Sequence, residues 1–218
     1  MNQIIESYIL RHFNTVSFDI FDTLIERNVL NPTDVFGIVG ERVLGKKSSL
    51  DFFENRIIAE KMARERFHEV TLKQIYCELE EIYETETIEE LQKMEVEIEL
   101  ECCHKKDAVF PFYEKCIQMG KRVVLISDMY LPESVMVLML QKCGIKNYER
   151  LYISSAYGEN KLSGKLFKIV CRESKIDPRT MFHIGDSIKA DLMGARKAGV
   201  PAWLVGRKNR LERLIQHR

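Results

Sequence analysis

At 218 residues the chain is long enough to bury a sizeable core, as one domain or one and a half. Its 33 Lys and Arg balance 33 Asp and Glu, so no global field recruits nucleic acid or anionic lipid. With 45% hydrophobic and 30% charged residues it reads as an ordinary soluble globular protein, and no apolar run is long enough to span a membrane.

The amino terminus, MNQIIESYILRHF, interrupts its apolar residues with Glu6 and Arg11. It lacks a basic start and a small-residue cleavage site, so it is not a signal peptide and a cytoplasmic chain is expected. The cysteines, Cys77, Cys102, Cys103, Cys116, Cys143 and Cys171, form no C-x-x-C pair and are expected as free thiols. Cys102, Cys103 and His104 are read as small residues ending a long helix rather than as a zinc site.

Val16–Leu24, VSFDIFDTL, begins with the β-branched and aromatic residues a strand prefers, then meets Asp19, Asp22 and Thr23. An ionised carboxylate loses several kcal/mol or more on burial unless it is paired, hydrogen-bonded or bound to a cation. A buried strand that ends in acids is therefore a candidate site. From Asn28 to Lys106 the pattern is helical. Asn31 with Asp34, Ser48 with Asp51, Thr71 with Gln74 and Thr87 with Glu90 have the spacing of capping boxes, and Pro32 suits a first helical position. Leu72, Ile75, Leu79 and Ile82 recur at helical spacing, as do Ile88, Leu91, Glu95 and Ile98 with one polar exception. The acids between Glu78 and Glu101 are expected on a solvated helix face. This insert far exceeds what a crossover between parallel strands needs, so residues 28–106 are expected to form a small helical domain of their own.

From Asp107 helices alternate with short apolar runs. Strands are expected at Lys121–Asp128, Leu151–Ser155, Thr180–Asp186 and Pro201–Val205. Helices are expected near Asp107–Met119, Pro132–Cys143, Gly164–Ser174 and Ser187–Ala198, and a basic helical tail from Arg207. The alternation predicts an α/β fold, a doubly wound parallel sheet built from residues 1–27 and 107–218. In such a sheet the strand ends Asp19, Ser127 with Asp128, Ser154 with Ser155, and Asp186 lie along one edge, where open α/β sheets bind ligands. Two converging carboxylates repel unless a cation sits between them, and oxygen-only donors suit Mg²⁺.

FDIFDTL, then ISD after the next strand, then Lys161 before GKLF, then GDSIKAD resemble the four ordered motifs of the haloacid dehalogenase-like (HAD) hydrolase superfamily. The insert resembles that superfamily's helical cap, and SFDIFDTLIER with ISDMYLP resembles a bacterial subgroup associated with surface-polysaccharide enzymes. The resemblance implies a Rossmann-like core with an all-helical cap and an enzyme that hydrolyses or transfers phosphoryl groups of a small phosphorylated substrate. Asp19 would be the nucleophile that forms an aspartyl-phosphate. Thr23 would orient its loop. Ser127, with Asp128 beside it, would bind the phosphoryl group, and Lys161, rather than Lys165, would neutralise its charge. Asp19, the backbone carbonyl of Phe21, Asp186 and Asp191 would hold Mg²⁺. His183 is expected as a packed core residue.

One position departs from the pattern. Phosphatases of the superfamily usually carry an acid–base aspartate two residues after the nucleophile. Here that position is Phe21, and Asp22 takes the usual place of a glycine. General acid–base help is worth roughly 10²–10⁴-fold. An aromatic residue there resembles the metal-independent 2-haloacid dehalogenases, which lack the acids of GDSIKAD. Two alternatives to a phosphatase therefore stand: a dehalogenase-type hydrolase, and a weakly catalytic domain that binds a phosphorylated ligand and regulates a neighbour.

Overall fold

The computed structural model describes residues 3–206. Helix α1 (Gln3–His12) turns Ile9 and Leu10 inward and leads into β1 (Thr15–Phe18), buried along its whole length. The strand expected from Val16 onward stops at Phe18, and the chain turns through the Asp19–Thr23 loop. β2 (Ile25–Arg27) then opens the insertion, which runs through α2 (Asp34–Leu44), α3 (Ser49–Arg66), α4 (Leu72–Cys77) and α5 (Thr85–Cys102). It returns along β3 (Cys103–Lys105), antiparallel to β2. The remainder alternates: α6 (Phe110–Gln118), β4 (Arg122–Ser127), α7 (Glu133–Lys142), β5 (Arg150–Ile153), the short α8 (Ser154–Tyr157), α9 (Lys165–Glu173) and β6 (Met181–Gly185). A π-helical segment (Ile188–Gly194) runs into α10 (Ala195–Lys197), and β7 (Ala202–Leu204) closes the sheet. The tail expected as a helix from Arg207 lies outside the described residues.

Five strands form one all-parallel sheet in the order β5-β4-β1-β6-β7. The chain starts in the middle, winds out through β4 to β5, then crosses to β6 and β7, which is the doubly wound arrangement the alternation predicts. Both faces are covered, as a parallel sheet requires. On β4, Val123 and Leu125 pack with Ile9, Phe112 and Met136, whereas Val124 and Ile126 pack with Leu166, Phe167 and Val170.

Within the insertion the local signals are kept unevenly. Thr71 and Gln74 make the full capping box, each bonding the other's backbone amide, at 3.3 and 2.9 Å. Asn31 donates its amide to Asp34 at 2.8 Å, but the helix starts at Asp34 rather than Pro32, and Ser48 makes no side-chain cap. α5 begins at Thr85, ahead of Thr87. The helical spacing from Leu72 to Ile82 breaks at Cys77, where three-residue turn hydrogen bonds take over and still bring Leu79 inside while Ile82 stays exposed. Cys103 and His104 lie in β3 rather than in the helix, and burial pushes the Cys103 thiol up to about 12.

The acidic stretch is not wholly solvated, because Glu95 and Glu99 are buried. Glu95 receives Arg56 Nε and Nη2, both at 2.8 Å, with Arg56 itself fully buried, and the hydroxyls of Tyr76 and Tyr130 at 2.8 and 3.0 Å. Glu99 receives Arg27. An acid at an apolar position of α5 thus becomes the hub of a satisfied polar network, the condition under which buried charge is tolerated. Tyr130 belongs to the loop after β4, so the network ties the insertion to the edge of the sheet where the candidate site lies.

Candidate active site

Parallel pairing places the ends of β1, β4 and β6 together, and Asp19 extends the ladder by donating its amide to Ile184 at 2.8 Å. Asp19, nearly buried, receives Thr23 Oγ1 on Oδ2 at 2.9 Å and Lys161 Nζ on Oδ1 at 2.5 Å. The same ammonium donates to Asp191 Oδ1 at 2.6 Å. Lys165, the rival lysine, turns instead to Glu159 at 2.9 Å and is exposed. Asp128 accepts the backbone amide of Lys161 at 2.9 Å and so holds the loop that carries it. Ser154 Oγ accepts the amide of Met129 at 3.0 Å, which fixes the turn after β4. Ser127 Oγ is buried and has no hydrogen-bond partner among the described residues.

Asp191 is buried midway along the π-helical segment, at whose start Ser187 caps Ala190 at 3.2 Å and donates its own amide to Asp191 Oδ2 at 2.8 Å. Two glycines make this approach possible. A Cβ on Gly185 would lie 2.2 Å from Asp191 Cγ, and one on Gly194 would lie 2.0 Å from the Lys161 carbonyl oxygen. Phe21 bridges to Ile25, and its ring carries the Arg27 guanidinium. Asp22 adopts a φ of 56°, a left-handed conformation natural to the glycine it replaces.

One contributor was not singled out from the sequence, and another does more than expected. Lys106, at the end of the insertion, bonds the Asp22 carbonyl and, at 2.8 Å, the Gly206 carbonyl, clamping the Asp19–Thr23 loop. His183 is buried and packed edge-on against Phe167 as expected of a core residue, but its Nε2 also lies 3.1 Å from Asp191 Oδ1. On the insertion side, a cavity of about 290 Å³ is lined by Phe21, Arg27, Phe36, Glu99, Asp128 and Tyr130, among others.

A family model described as haloacid dehalogenase-like hydrolase matches residues 13–199. The chain belongs to that family. No curated protein matches it. Among solved structures, this hydrolase is similar to a HAD phosphatase from Thermococcus onnurineus (17% identity, TM-score 0.65, covering 90% of this chain and 87% of that one). It is also similar to a 2-haloacid dehalogenase from Pseudomonas syringae (18%, 0.62, 94% and 97%) and to the HAD-hydrolase YfnB from Bacillus subtilis bound to magnesium (18%, 0.61, 89% of each). At these identities the likeness establishes a shared fold, and the neighbours include both phosphatases and dehalogenases.

The electrostatics of the hydrolase follow from three buried or half-buried acids around one lysine. Burial pushes the Asp19 carboxyl up to about 7; Lys161 pulls it down, while Asp191 and Asp186 push it further up. Burial also raises Asp191, but the Lys161 charge and the hydrogen bond from His183 outweigh it and hold that carboxyl well below its usual range. Two carboxylates sharing one ammonium split in this way because like charges at close range cannot both be equally stabilised. Burial disfavours the charged form of Lys161, yet Asp19, Asp191 and Asp128 hold its pKa well above the ordinary lysine value. Asp19, Asp186 and Asp191 each offer an oxygen within 4.8 Å of the others. Three carboxylates against one ammonium leave an excess of negative charge, and an oxygen-only set fits a hard divalent cation such as Mg²⁺.

Proposed function

We propose that this hydrolase is a Mg²⁺-dependent phosphoester hydrolase or phosphotransferase that acts on a small phosphorylated metabolite through an aspartyl-phosphate on Asp19. The observation that carries the reading is the convergence of Asp19, Asp186 and Asp191, with one oxygen of each within 4.8 Å of the others. These residues, with the backbone carbonyl of Phe21, would hold Mg²⁺, which when bound neutralises phosphoryl oxygens and orients the substrate.

The chain's own groups have distinct tasks. Thr23 and Lys161 pin the two oxygens of Asp19, so its attack on phosphorus meets little reorganisation. The bond from Asp19 to phosphorus forms as the ester P–O bond breaks and the leaving oxygen departs; water then cleaves the acyl phosphate and releases inorganic phosphate. Ser127 Oγ, buried with no partner among the described residues, donates to a phosphoryl oxygen. Lys161 neutralises charge on the same group, and Asp128 contributes by holding the Lys161 loop.

Residues 28–106 serve as a cap over a core of residues 1–27 and 107–218. The cavity between them, with its aromatic planes and paired charges, receives the leaving group. Closure of the cap excludes water during reaction. A screen of phosphate esters, sugar phosphates first, and of 2-haloacids, each with Mg²⁺ and with EDTA, tests the reading. Mg²⁺-dependent phosphate release is expected. Phe21, an aromatic residue where an acid is usual, favours the second reading, a metal-independent dehalogenase. EDTA-resistant chloride release without phosphate release would establish that reading and remove the first.

A further inference from the structure

Ser17 and His183 stand opposite each other in the β1–β6 register, both with zero exposure. A buried imidazole and a buried hydroxyl in the middle of a parallel sheet each cost free energy unless their hydrogen bonds are made. Both are made here. Ser17 Oγ lies 2.8 Å from His183 Nδ1, and His183 Nε2 lies 3.1 Å from Asp191 Oδ1. That oxygen is the one on which Lys161 Nζ rests, and the same Nζ reaches Asp19.

For a neutral imidazole the donors and acceptors leave one assignment. An ionised carboxylate only accepts, so the proton between His183 and Asp191 belongs to Nε2, and the Ser17 hydroxyl is left to donate to Nδ1. Asp191 Oδ2 is occupied by the Ser187 amide, so removing His183 would leave Oδ1 held by Lys161 alone, the very group it is to place. We infer that His183 is a positioning residue: its Nε2–H, with the tautomer set by Ser17, holds Asp191 Oδ1 where Lys161 can bridge it to Asp19. The role rests on the phosphoryl-transfer reading, in which Asp19 and Lys161 are the reacting pair. Partners that orient the groups at such a site are worth about 10–100-fold when lost.

Long-range ¹⁵N–¹H correlations of the imidazole in the wild-type protein should show a proton on His183 Nε2; a bare Nε2 overturns the inference. His183→Phe keeps the ring packed against Phe167 but loses the donor. It should lower kcat/KM for p-nitrophenyl phosphate about 10–100-fold, chiefly through kcat. His183→Gln, whose amide can replace Nε2–H, should recover most of that loss. A Phe variant as active as the wild type overturns the role, and so does a Gln variant no better than Phe when all three melt alike, because packing alone would then explain the loss. If the Phe variant does not fold, the tautomer and the near-wild-type rate of His183→Gln decide. A wild type that releases no phosphate from any ester sinks the phosphatase reading instead, and the tautomer then decides the placement of His183 by itself.

Discussion

The Arg27 guanidinium carbon lies 4.0 Å from the centroid of the Phe21 ring, while Nε and Nη2 of the same group donate to Glu99 at 2.7 and 3.1 Å. The position two residues after Asp19 is thus an aromatic platform that braces a buried ion pair between β2 and α5. No proton donor stands there. Under the proposed chemistry, departure of a poor leaving group is unassisted from this position. p-Nitrophenyl phosphate should therefore turn over at least about 10²-fold faster than an alkyl phosphate. A phospho-adduct on Asp19 should accumulate and be seen by intact mass, and Asp19→Asn should abolish both adduct and turnover. Phe21→Asp should gain less than about 10-fold, because Arg27 would pair with the new carboxylate and hold it ionised. Brisk alkyl phosphate hydrolysis without an adduct would make another group, Asp22 first, the acid and base.

Metal and pH should act together on stability. Without metal, burial should raise the Asp19 carboxyl from an ordinary value of 3.8 to about 7. Between those values the native state binds more protons at Asp19 than the unfolded one, so the contribution of Asp19 to stability falls as pH rises from about 4 through 7. Under the proposed reading Mg²⁺ would bind the ionised site and should raise the urea midpoint more at pH 8 than at pH 5. Urea titrations at both pH values, with and without Mg²⁺, check this; an absent or pH-independent Mg²⁺ effect counts against the site.

Gly185 and Gly194 should tolerate no side chain. Gly185→Ala sets a methyl 2.2 Å from Asp191 Cγ, and Gly194→Ala sets one 2.0 Å from the backbone oxygen of Lys161. Each should lose about 1–3 kcal/mol of stability by overpacking, and turnover by more than the stability loss explains. Thermal melts and steady-state rates on the same samples separate the two effects.

The Arg56–Glu95 network should respond asymmetrically. Glu95→Ala leaves a fully buried guanidinium without its bidentate partner and should cost about 3–5 kcal/mol. Arg56→Leu should cost less, since Glu95 keeps the hydroxyls of Tyr76 and Tyr130. Urea melts rank the two. Because Tyr130 follows Asp128 and Met129, Glu95→Ala should also slow turnover by loosening the loop against which Lys161 is held.

The strand ends were legible from residue order alone. Asp19, Ser127 and Asp186 each close a short apolar run, and parallel strands must bring such ends to one edge. Thr71 with Gln74 was legible too, because a capping box is closed by its own four residues. Other features depended on segments far apart in the chain. Glu95 occupies an apolar position of a helical stripe, and only its packing against Arg56, 39 residues earlier, turns an apparent interruption into a buried pair. The β2–β3 ribbon joins three-residue strands from opposite ends of the insertion, too short for any periodicity to register. Lys106 and His183 look like an ordinary surface lysine and an ordinary core histidine until the loops they touch have closed. Spacing along a chain determines which side chains share a face. What stands opposite that face, 166 residues away in the case of Ser17 and His183, is decided only when the sheet assembles.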